Sequence, residues 1–228
     1  MNLKGVLIDF GGTLAHVDKN ENIKYEETLL SVLRKHGYRP RFEDVDSTLA
    51  CLYGDSSKGD FRNLREFWMA FLKKLSIPRE EKLIEDLEGV RSRLLVGVFK
   101  LYEGVFPTLS ILQEKYKLVL VSNCAVGTRD EIAALGLAGF FKHLVLSYEV
   151  GVRKPNRRIY LEALQALELG ADECIFVADE ISDLEGAKAV GLWTMLVRQG
   201  SNTLCEAKDP CFKPDLQCNQ ISEVTQFL

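Results

Sequence analysis

Strand-like and helix-like segments alternate along most of this 228-residue chain. Apolar, β-prone runs lie near residues 3–9, 117–122, 143–147, 173–178 and 192–197. Segments with apolar residues at helical spacing separate most of these runs, at 104–116, 127–135, 155–167 and 181–190. Pro155 suits the first turn of the third such helix. The alternation predicts an α/β fold, a Rossmann-like doubly wound parallel sheet with helices on both faces.

One stretch breaks the alternation, because residues 16–99 contain only helix-like segments. These lie at 24–36, 42–53, 63–76 and 80–95. We therefore predict an all-helical cap domain at 16–99, inserted into a core domain formed by 1–15 and 100–228. Since the insertion follows the first strand directly, we expect it to lie over the sheet edge where that strand ends. The tail is predicted to add a short strand at 214–216 and a closing helix at 221–228.

The overall charge is nearly balanced, with 29 basic and 33 acidic residues and a net charge of −4. Neither nucleic acid nor a membrane surface is therefore a predicted partner. No run approaches the roughly 18 apolar residues of a membrane-spanning helix, and no charged leader precedes the first strand, so we predict a cytoplasmic protein. A monomer and a homodimer both stay open.

The six cysteines show no CxxC pair and no dense framework. Free thiols are the expectation for a chain of this size, and a zinc site built from Cys205, Cys211 and Cys218 is disfavoured.

Four short polar motifs follow one another in the chain, and three of them come directly after a β-prone run. They are residues 9–13 (DFGGT), 122–123 (SN), 154–155 (KP) and 179–183 (DEISD). A single aspartate after a strand is more often a helix cap or a turn residue than a functional group. The carboxyl ends of parallel strands meet at one sheet edge, however, where ligands bind in open α/β folds. The ordered set therefore predicts a site there for a carboxylate nucleophile, a metal and a phosphate.

These motifs resemble those of the haloacid dehalogenase superfamily of hydrolases, and the match runs along the whole chain. The insertion resembles the family's helical, type C1, cap. By this resemblance Asp9 is the nucleophile, Thr13 the hydroxyl of the first motif, Ser122 the phosphate-binding second motif and Lys154 the third. Asp179 and Asp183 match the acidic fourth motif.

The resemblance also implies a cofactor and a substrate class. A carboxylate can attack phosphorus and form an aspartyl phosphate, which splits one displacement into two easier steps. Mg²⁺ would reduce the repulsion between the two anions. Its expected ligands are Asp9, the backbone carbonyl of Gly11 and Asp179, with Asp183 behind them or acting through water. The expected substrate is a small phosphate ester.

Other residues are expected to contact the phosphoryl group. Gly12 and Asn123 are candidate substrate-binding residues, since their backbone amides can donate to phosphoryl oxygens beside Ser122. His16, in the loop that leaves the first strand, is a third candidate.

Gly11 departs from the family pattern. The phosphatases of the family carry an aspartate two residues after the nucleophile, whose carbonyl binds magnesium and whose side chain is a general acid and base. Glycine can supply only the carbonyl. General acid–base catalysis typically contributes about 10²- to 10⁴-fold in rate. His16, Asp18 and Glu180 are the candidate substitutes.

Three functions stay open at this stage. The favoured one is a magnesium-dependent phosphatase of small metabolites. The second is a 2-haloacid dehalogenase, which would attack carbon with the same aspartate and use an arginine and aromatic residues of the cap. The candidates for that role are Arg39, Arg41, Arg62, Tyr53, Phe67 and Trp68. The third is a phosphate-binding protein whose catalysis has lapsed. The helical spacing of Phe67 and Phe71 favours packing inside the cap over contact with a ligand.

Overall fold

A six-stranded parallel sheet forms the centre of the computed structural model, which describes residues 2–199 and 212–228. In chain order the strands are β1 (Gly5–Ile8), β2 (Ala15–Val17), β3 (Phe99–Leu101), β4 (Lys117–Ser122), β5 (His143–Leu146), β6 (Cys174–Ala178), β7 (Trp193–Val197) and β8 (Leu216–Cys218). The order across the central sheet is β5-β4-β1-β6-β7-β8, while β2 and β3 form a separate two-stranded sheet. The predicted fold class is confirmed.

Helices cover both faces of the sheet. They are α1 (Lys19–Lys35), α2 (Phe42–Ser56), α3 (Leu64–Lys74), α4 (Glu81–Val98), α5 (Val105–Lys115), α6 (Thr128–Ala134), α7 (Ser147–Val150), α8 (Arg157–Leu167) and α9 (Ile181–Lys188), with short 3₁₀ helices at Ala138–Phe140, Ala171–Glu173 and Ile221–Gln226. Side chains alternate across each strand. Val6 and Ile8 therefore pack in the apolar layer that includes residues of α5 and α6, and Leu7 packs in the layer that includes residues of α8 and α9.

The strand register brings the polar motifs to one edge. Ile8 lies opposite Leu120 of β4 and Val177 of β6. The residues just beyond these positions are Asp9, Ser122 and Asp179, all at the carboxyl ends of adjacent strands. The sheet topology therefore brings the carboxyl ends of these strands together, as the sequence predicts.

The four helices α1 to α4 follow one another between β2 and β3, as the all-helical pattern predicts. They share an apolar cluster of their own, in which Tyr25, Leu29, Phe67, Trp68 and Phe71 are almost fully buried. Phe67 and Phe71 therefore pack inside the helical segment, as their helical spacing favours, and Trp68 is buried with them, so these side chains do not form an open substrate cradle. None of the described helices is long and apolar enough to cross a membrane.

Two local expectations were wrong. Pro155 does not open the helix that follows it, because the side chain of Asn156 accepts a hydrogen bond from Arg158 N at 3.0 Å and caps a helix that begins at Arg157. The closing helix is a 3₁₀ helix that ends at Gln226. The short sheet of β2 and β3 was not foreseen, since three-residue strands leave almost no periodic signal.

The cysteines within the described residues are free thiols: Cys51, Cys124, Cys174 and Cys218. Cys205 and Cys211 lie outside the described residues.

Candidate active site

A buried lysine connects the first, third and fourth motifs. The Nζ atom of Lys154 lies 2.7 Å from Asp9 Oδ1 and 2.8 Å from Asp183 Oδ2. All three residues are at most 6% exposed. Lys154 is therefore not a solvated surface lysine but a cation buried between two carboxylates.

Backbone contacts fix the two carboxylates that Lys154 joins. Asp9 N continues the sheet by donating to Val177 O at 3.0 Å, and Phe10 N donates to Asp9 Oδ1 at 2.7 Å. Asp183 lies in the first turn of α9, where the helix dipole favours a negative side chain. Its carbonyl accepts a hydrogen bond from Tyr160 Oη at 2.7 Å.

The first motif also contacts Asp179 directly. Thr13 Oγ1 donates to Asp179 Oδ1 at 3.3 Å. Gly12 has a φ of +79°, and a Cβ atom built on it would lie 2.0 Å from Asp179 Oδ2. Only glycine combines that backbone conformation with so close an approach. The structure thus brings Asp179 against the backbone just after Asp9.

The second and third motifs hold each other through a pair of hydrogen bonds. Asn123 Nδ2 donates to Lys154 O at 3.1 Å, and Lys154 N donates to Asn123 Oδ1 at 2.7 Å. Ser122, at the end of β4, is 2% exposed. The side chain of Asn123 therefore has a structural partner, while its backbone amide is the group suited to an anion.

Burial dominates the electrostatics of this edge. It raises the pKa of Asp9 to about 7 against the opposing effect of Lys154. It also raises the pKa of Asp179 and Asp183. For Lys154, burial acts to lower the pKa, but Asp183 and Asp9 outweigh it and hold the ammonium charged. Three carboxylates face one ammonium, so the site has an excess of negative charge that a divalent cation would balance.

A cavity of about 510 Å³ lies beside this edge of the sheet, and within the described part of the chain it is lined by chain neighbours of Asp9 and Lys154 and not by those two residues themselves. Gly11, Ser122, Asn123 and Arg153 line it from the sheet side. Helices α1, α2 and α4 supply the opposite wall, whose polar side chains include Asn22, Glu26, Asp46, Tyr53 and Arg91. A small molecule in this cavity would contact the motifs on one side and the helical segment on the other.

Each of the three candidate substitutes for the missing acid is either exposed or already hydrogen-bonded to a neighbouring residue. His16 is exposed, and its ring centroid lies 5.0 Å from that of Tyr102. Asp18 caps α1 by accepting hydrogen bonds from the backbone N atoms of Asn20 and Glu21, which lower its pKa. Glu180 accepts from Ser182 Oγ at 2.8 Å. None of the three is among the residues that line the 510 Å³ cavity within the described part of the chain.

The arginines considered for halide binding lie away from the cavity. Arg39, Arg41 and Arg62 are exposed, and Arg41 Nη2 pairs with Asp44 at 2.8 Å. Among the residues described, the lining of the cavity includes none of the three. Of the arginine and aromatic candidates for a dehalogenase site, all of which are among the described residues, only Tyr53 lines the cavity.

Sequence reasoning missed Arg91 and Glu131, which both line the cavity. Each is 4% exposed, and Arg91 Nη2 lies 2.8 Å from Glu131 Oε1. Burial raises the pKa of Glu131 to about 7, and Arg91 opposes that rise. One signal was available, since Ile84, Leu87 and Arg91 share one face of α4 at helical spacing. An arginine in line with core residues is a candidate for a buried, paired cation.

A family model of haloacid dehalogenase-like hydrolases matches residues 3–191. The chain belongs to this family. A glyceraldehyde 3-phosphate phosphatase of Pyrococcus furiosus is 39% identical to it over 204 residues, which is 87% of this chain and 82% of the relative. Among solved structures, a 2-haloacid dehalogenase of Pseudomonas syringae pv. tomato DC3000 superimposes with a TM-score of 0.75 at 22% identity and covers 98% of this chain and 97% of its own.

A third similar protein was solved with a metal bound. The HAD-hydrolase YfnB of Bacillus subtilis, solved bound to magnesium, has a TM-score of 0.65 at 18% identity and covers 100% of this chain and 99% of its own. In residues 2–199 and 212–228 of the present protein, no three His, Cys, Asp or Glu side chains form a ready-made metal site. Mg²⁺ does not require one, because it commonly binds one or two carboxylates together with water and substrate oxygens. The hard oxygen donors of Asp9 and Asp179 fit that pattern.

Proposed function

We propose that the protein is a magnesium-dependent phosphatase of small phosphorylated metabolites that acts through an aspartyl phosphate on Asp9. The observation that carries the proposal is the Lys154 ammonium, buried 2.7 Å from the Asp9 carboxylate beside the end of the central strand. This contact holds Asp9 in place and supplies positive charge next to the nucleophile. The relative from Pyrococcus furiosus, which is 39% identical, is named a phosphatase, and this name agrees with the proposal.

In the first step, a carboxylate oxygen of Asp9 attacks phosphorus as the bond to the ester oxygen breaks. Lys154 and the Ser122 hydroxyl would stabilise the negative charge around the reaction, with the Asn123 amide as a donor to phosphoryl oxygens. The Thr13 hydroxyl donates to Asp179 Oδ1 at 3.3 Å and the Gly12 amide donates to Ala15 O at 2.7 Å, so the predicted contacts of these two residues with the phosphoryl group stay predictions. Water then attacks the aspartyl phosphate and regenerates the carboxylate. The predicted contact of His16 with substrate stays a prediction, because its side chain is exposed beside Tyr102.

The proposed magnesium ligands are Asp9, the Gly11 carbonyl and Asp179, with Asp183 acting through water while it holds Lys154. Bound Mg²⁺ would supply charge neutralisation between the carboxylate and the phosphoryl oxygens. The excess of carboxylates over ammonium groups at this edge is the structural support for a cation there.

Residues 16–99 are proposed to act as a cap domain of type C1, because α1, α2 and α4 form the cavity wall that faces the motifs. Cytoplasmic location, the monomeric or homodimeric state, and the lack of nucleic-acid and membrane partners belong to the same proposal.

The function is tested by phosphate release from an aryl phosphate and a panel of metabolite phosphates, each with magnesium or with a chelator. We expect release that requires magnesium and differs among the metabolites. Halide release from 2-haloacids, measured in parallel without metal, is expected to be absent. Halide release without phosphate release would replace the proposal with dehalogenation, and phosphate binding without any turnover would replace it with a binding role.

Replacing Gly11 with aspartate tests the missing acid. A Cβ atom at Gly11 meets nothing within 4 Å, and its φ is not in the left-handed region, so the backbone accepts a side chain there. G11D is expected to raise kcat for alkyl phosphates by about 10²-fold and for aryl phosphates much less, because poor leaving groups depend most on a general acid. Gly12→Ala is the steric contrast and should disrupt the contact with Asp179. Equal gains for both ester classes would refute this role for position 11.

A further inference from the structure

The segment that follows the second motif is held from the side of the helical insertion. Val126 N donates to Ser56 Oγ of α2 at 2.8 Å, and Val126 O accepts from Arg91 Nη2 of α4 at 2.9 Å. Ser56 and Arg91 are both buried. Two helices of the insertion thus satisfy both polar backbone groups of one residue, four positions after Ser122.

Arg91 is fixed in place by contacts on several sides. Besides Val126 O, it pairs with Glu131 of α6 at 2.8 Å and donates to Tyr53 Oη at 3.2 Å. Its guanidinium lies 5.6 Å from the ring centroid of Tyr53. A Cβ atom at Gly127 would lie 3.0 Å from Arg91 Nε, so the backbone of the segment passes directly against the guanidinium.

The other end of the same segment is attached to the catalytic motifs. Cys124 N donates to Ser147 Oγ at 2.9 Å, and the Ser147 hydroxyl donates back to Cys124 O at 3.2 Å. Asn123 forms its two hydrogen bonds with the backbone of Lys154. A displacement at Val126 therefore acts, within four residues, on the groups that are suited to bind a phosphoryl oxygen.

Stability alone is a weak reason for this arrangement. A buried ion pair loses its hydration, and an apolar pair of similar volume often stabilises a protein as well or better. An apolar pair could not donate to Val126 O, however, and guanidinium geometry allows one side chain to bind a carboxylate and a carbonyl together. The feature that requires arginine at position 91 is the hydrogen bond to the segment.

We propose that Arg91 is a positioning residue for phosphoryl binding: through Val126 it holds residues 122–126 in the geometry that presents Ser122 and the Asn123 amide to the phosphoryl group. This inference rests on the phosphatase function proposed above. It links the helical wall of the cavity to the binding of the phosphoryl group through the backbone of residues 122–126.

The test measures the binding of inorganic phosphate in the presence of magnesium by titration calorimetry, together with the melting temperature of each variant. R91M/E131M replaces the ion pair with apolar side chains but leaves Val126 O without this donor, so we expect a melting temperature lowered less than in Glu131→Gln, with phosphate affinity about tenfold weaker. Glu131→Gln keeps the bond from Arg91 to Val126 O. It is expected to lower the melting temperature and change phosphate affinity by no more than about twofold. Ser56→Ala removes the other contact with Val126 and should also weaken phosphate binding.

If Arg91 had only a structural role, phosphate affinity would follow the melting temperature across the variants, and the variant with the lowest melting temperature would bind phosphate most weakly. That result would overturn the proposal. Unchanged affinity in both S56A and R91M/E131M, or in S56A if the double variant does not fold, would overturn it as well. An unmodified protein that binds no phosphate would do the same. Hydrolysis by the unmodified protein is measured separately: phosphate binding that depends on Arg91 without hydrolysis would contradict only the proposed function.

Discussion

Asp9→Asn is expected to lower kcat/KM for every phosphate ester by at least about 10⁴-fold, because an amide cannot form the aspartyl phosphate. The substitution is nearly isosteric, and Lys154 keeps its second partner, Asp183, at 2.8 Å. We therefore expect the fold to survive. The measurement is steady-state phosphate release at saturating magnesium, accompanied by the melting temperature of both proteins.

Asp44→Asn is the matched control, since it makes the same change at an exposed aspartate that pairs with Arg41 at 2.8 Å and does not line the cavity. Its activity should stay close to that of the unmodified protein. A loss of less than about tenfold in D9N, with the fold intact, would show that Asp9 is not the nucleophile.

Lys154→Met is expected to reduce both activity and stability. Loss of a preorganised positive group beside the developing charge should lower kcat by about 10³-fold. The variant also leaves Asp9 and Asp183 buried without their shared cation, and breaking such a pair typically costs about 3 kcal/mol or more in the free energy of unfolding. Magnesium should restore part of that stability, because it supplies positive charge to the same carboxylates. Denaturant unfolding with and without magnesium measures both effects.

The exposed Lys82, which pairs with Glu85 at 3.2 Å and Asp86 at 3.4 Å, provides the control. Lys82→Met should leave activity and stability unchanged within error, since exposed ion pairs contribute little. An effect of K154M no larger than that of K82M would contradict the assigned place of Lys154 in the site.

The sequence carried strong signals for the parallel sheet and for the edge at which the polar motifs meet. Buried parallel strands are continuous apolar runs, and Asp9, Ser122 and Asp179 mark their carboxyl ends without any knowledge of packing. The helices of the insertion were equally readable, because their apolar faces repeat at helical spacing over several turns. Observed boundaries such as Phe42–Ser56 and Leu64–Lys74 lie within three residues of the predicted ones.

What the sequence could not supply depends on contacts between distant parts of the chain. The pairing of Arg91 with Glu131 joins residues 40 positions apart and follows from how the insertion lies on α6. Whether Trp68 packs inside the helical insertion or faces a ligand depended on contacts that only the fold supplies. The helix-capping role of Asp18 was not foreseen. The predicted start of α8 was wrong because Asn156, the residue after Pro155, caps the N-terminus of the helix.

The most direct test of the account is a rapid-quench reaction with an acyl phosphate labelled in the phosphoryl group, followed by mass spectrometry of the peptide that contains residue 9. Acyl phosphates need little help from a general acid, so they should phosphorylate the protein readily despite Gly11. We expect a hydroxylamine-sensitive phosphoryl group on Asp9 that forms at the rate of turnover or faster. It should accumulate because Gly11 provides no base for its hydrolysis, and it should be reduced in G11D. Phosphate release without any label on Asp9 would contradict the central claim.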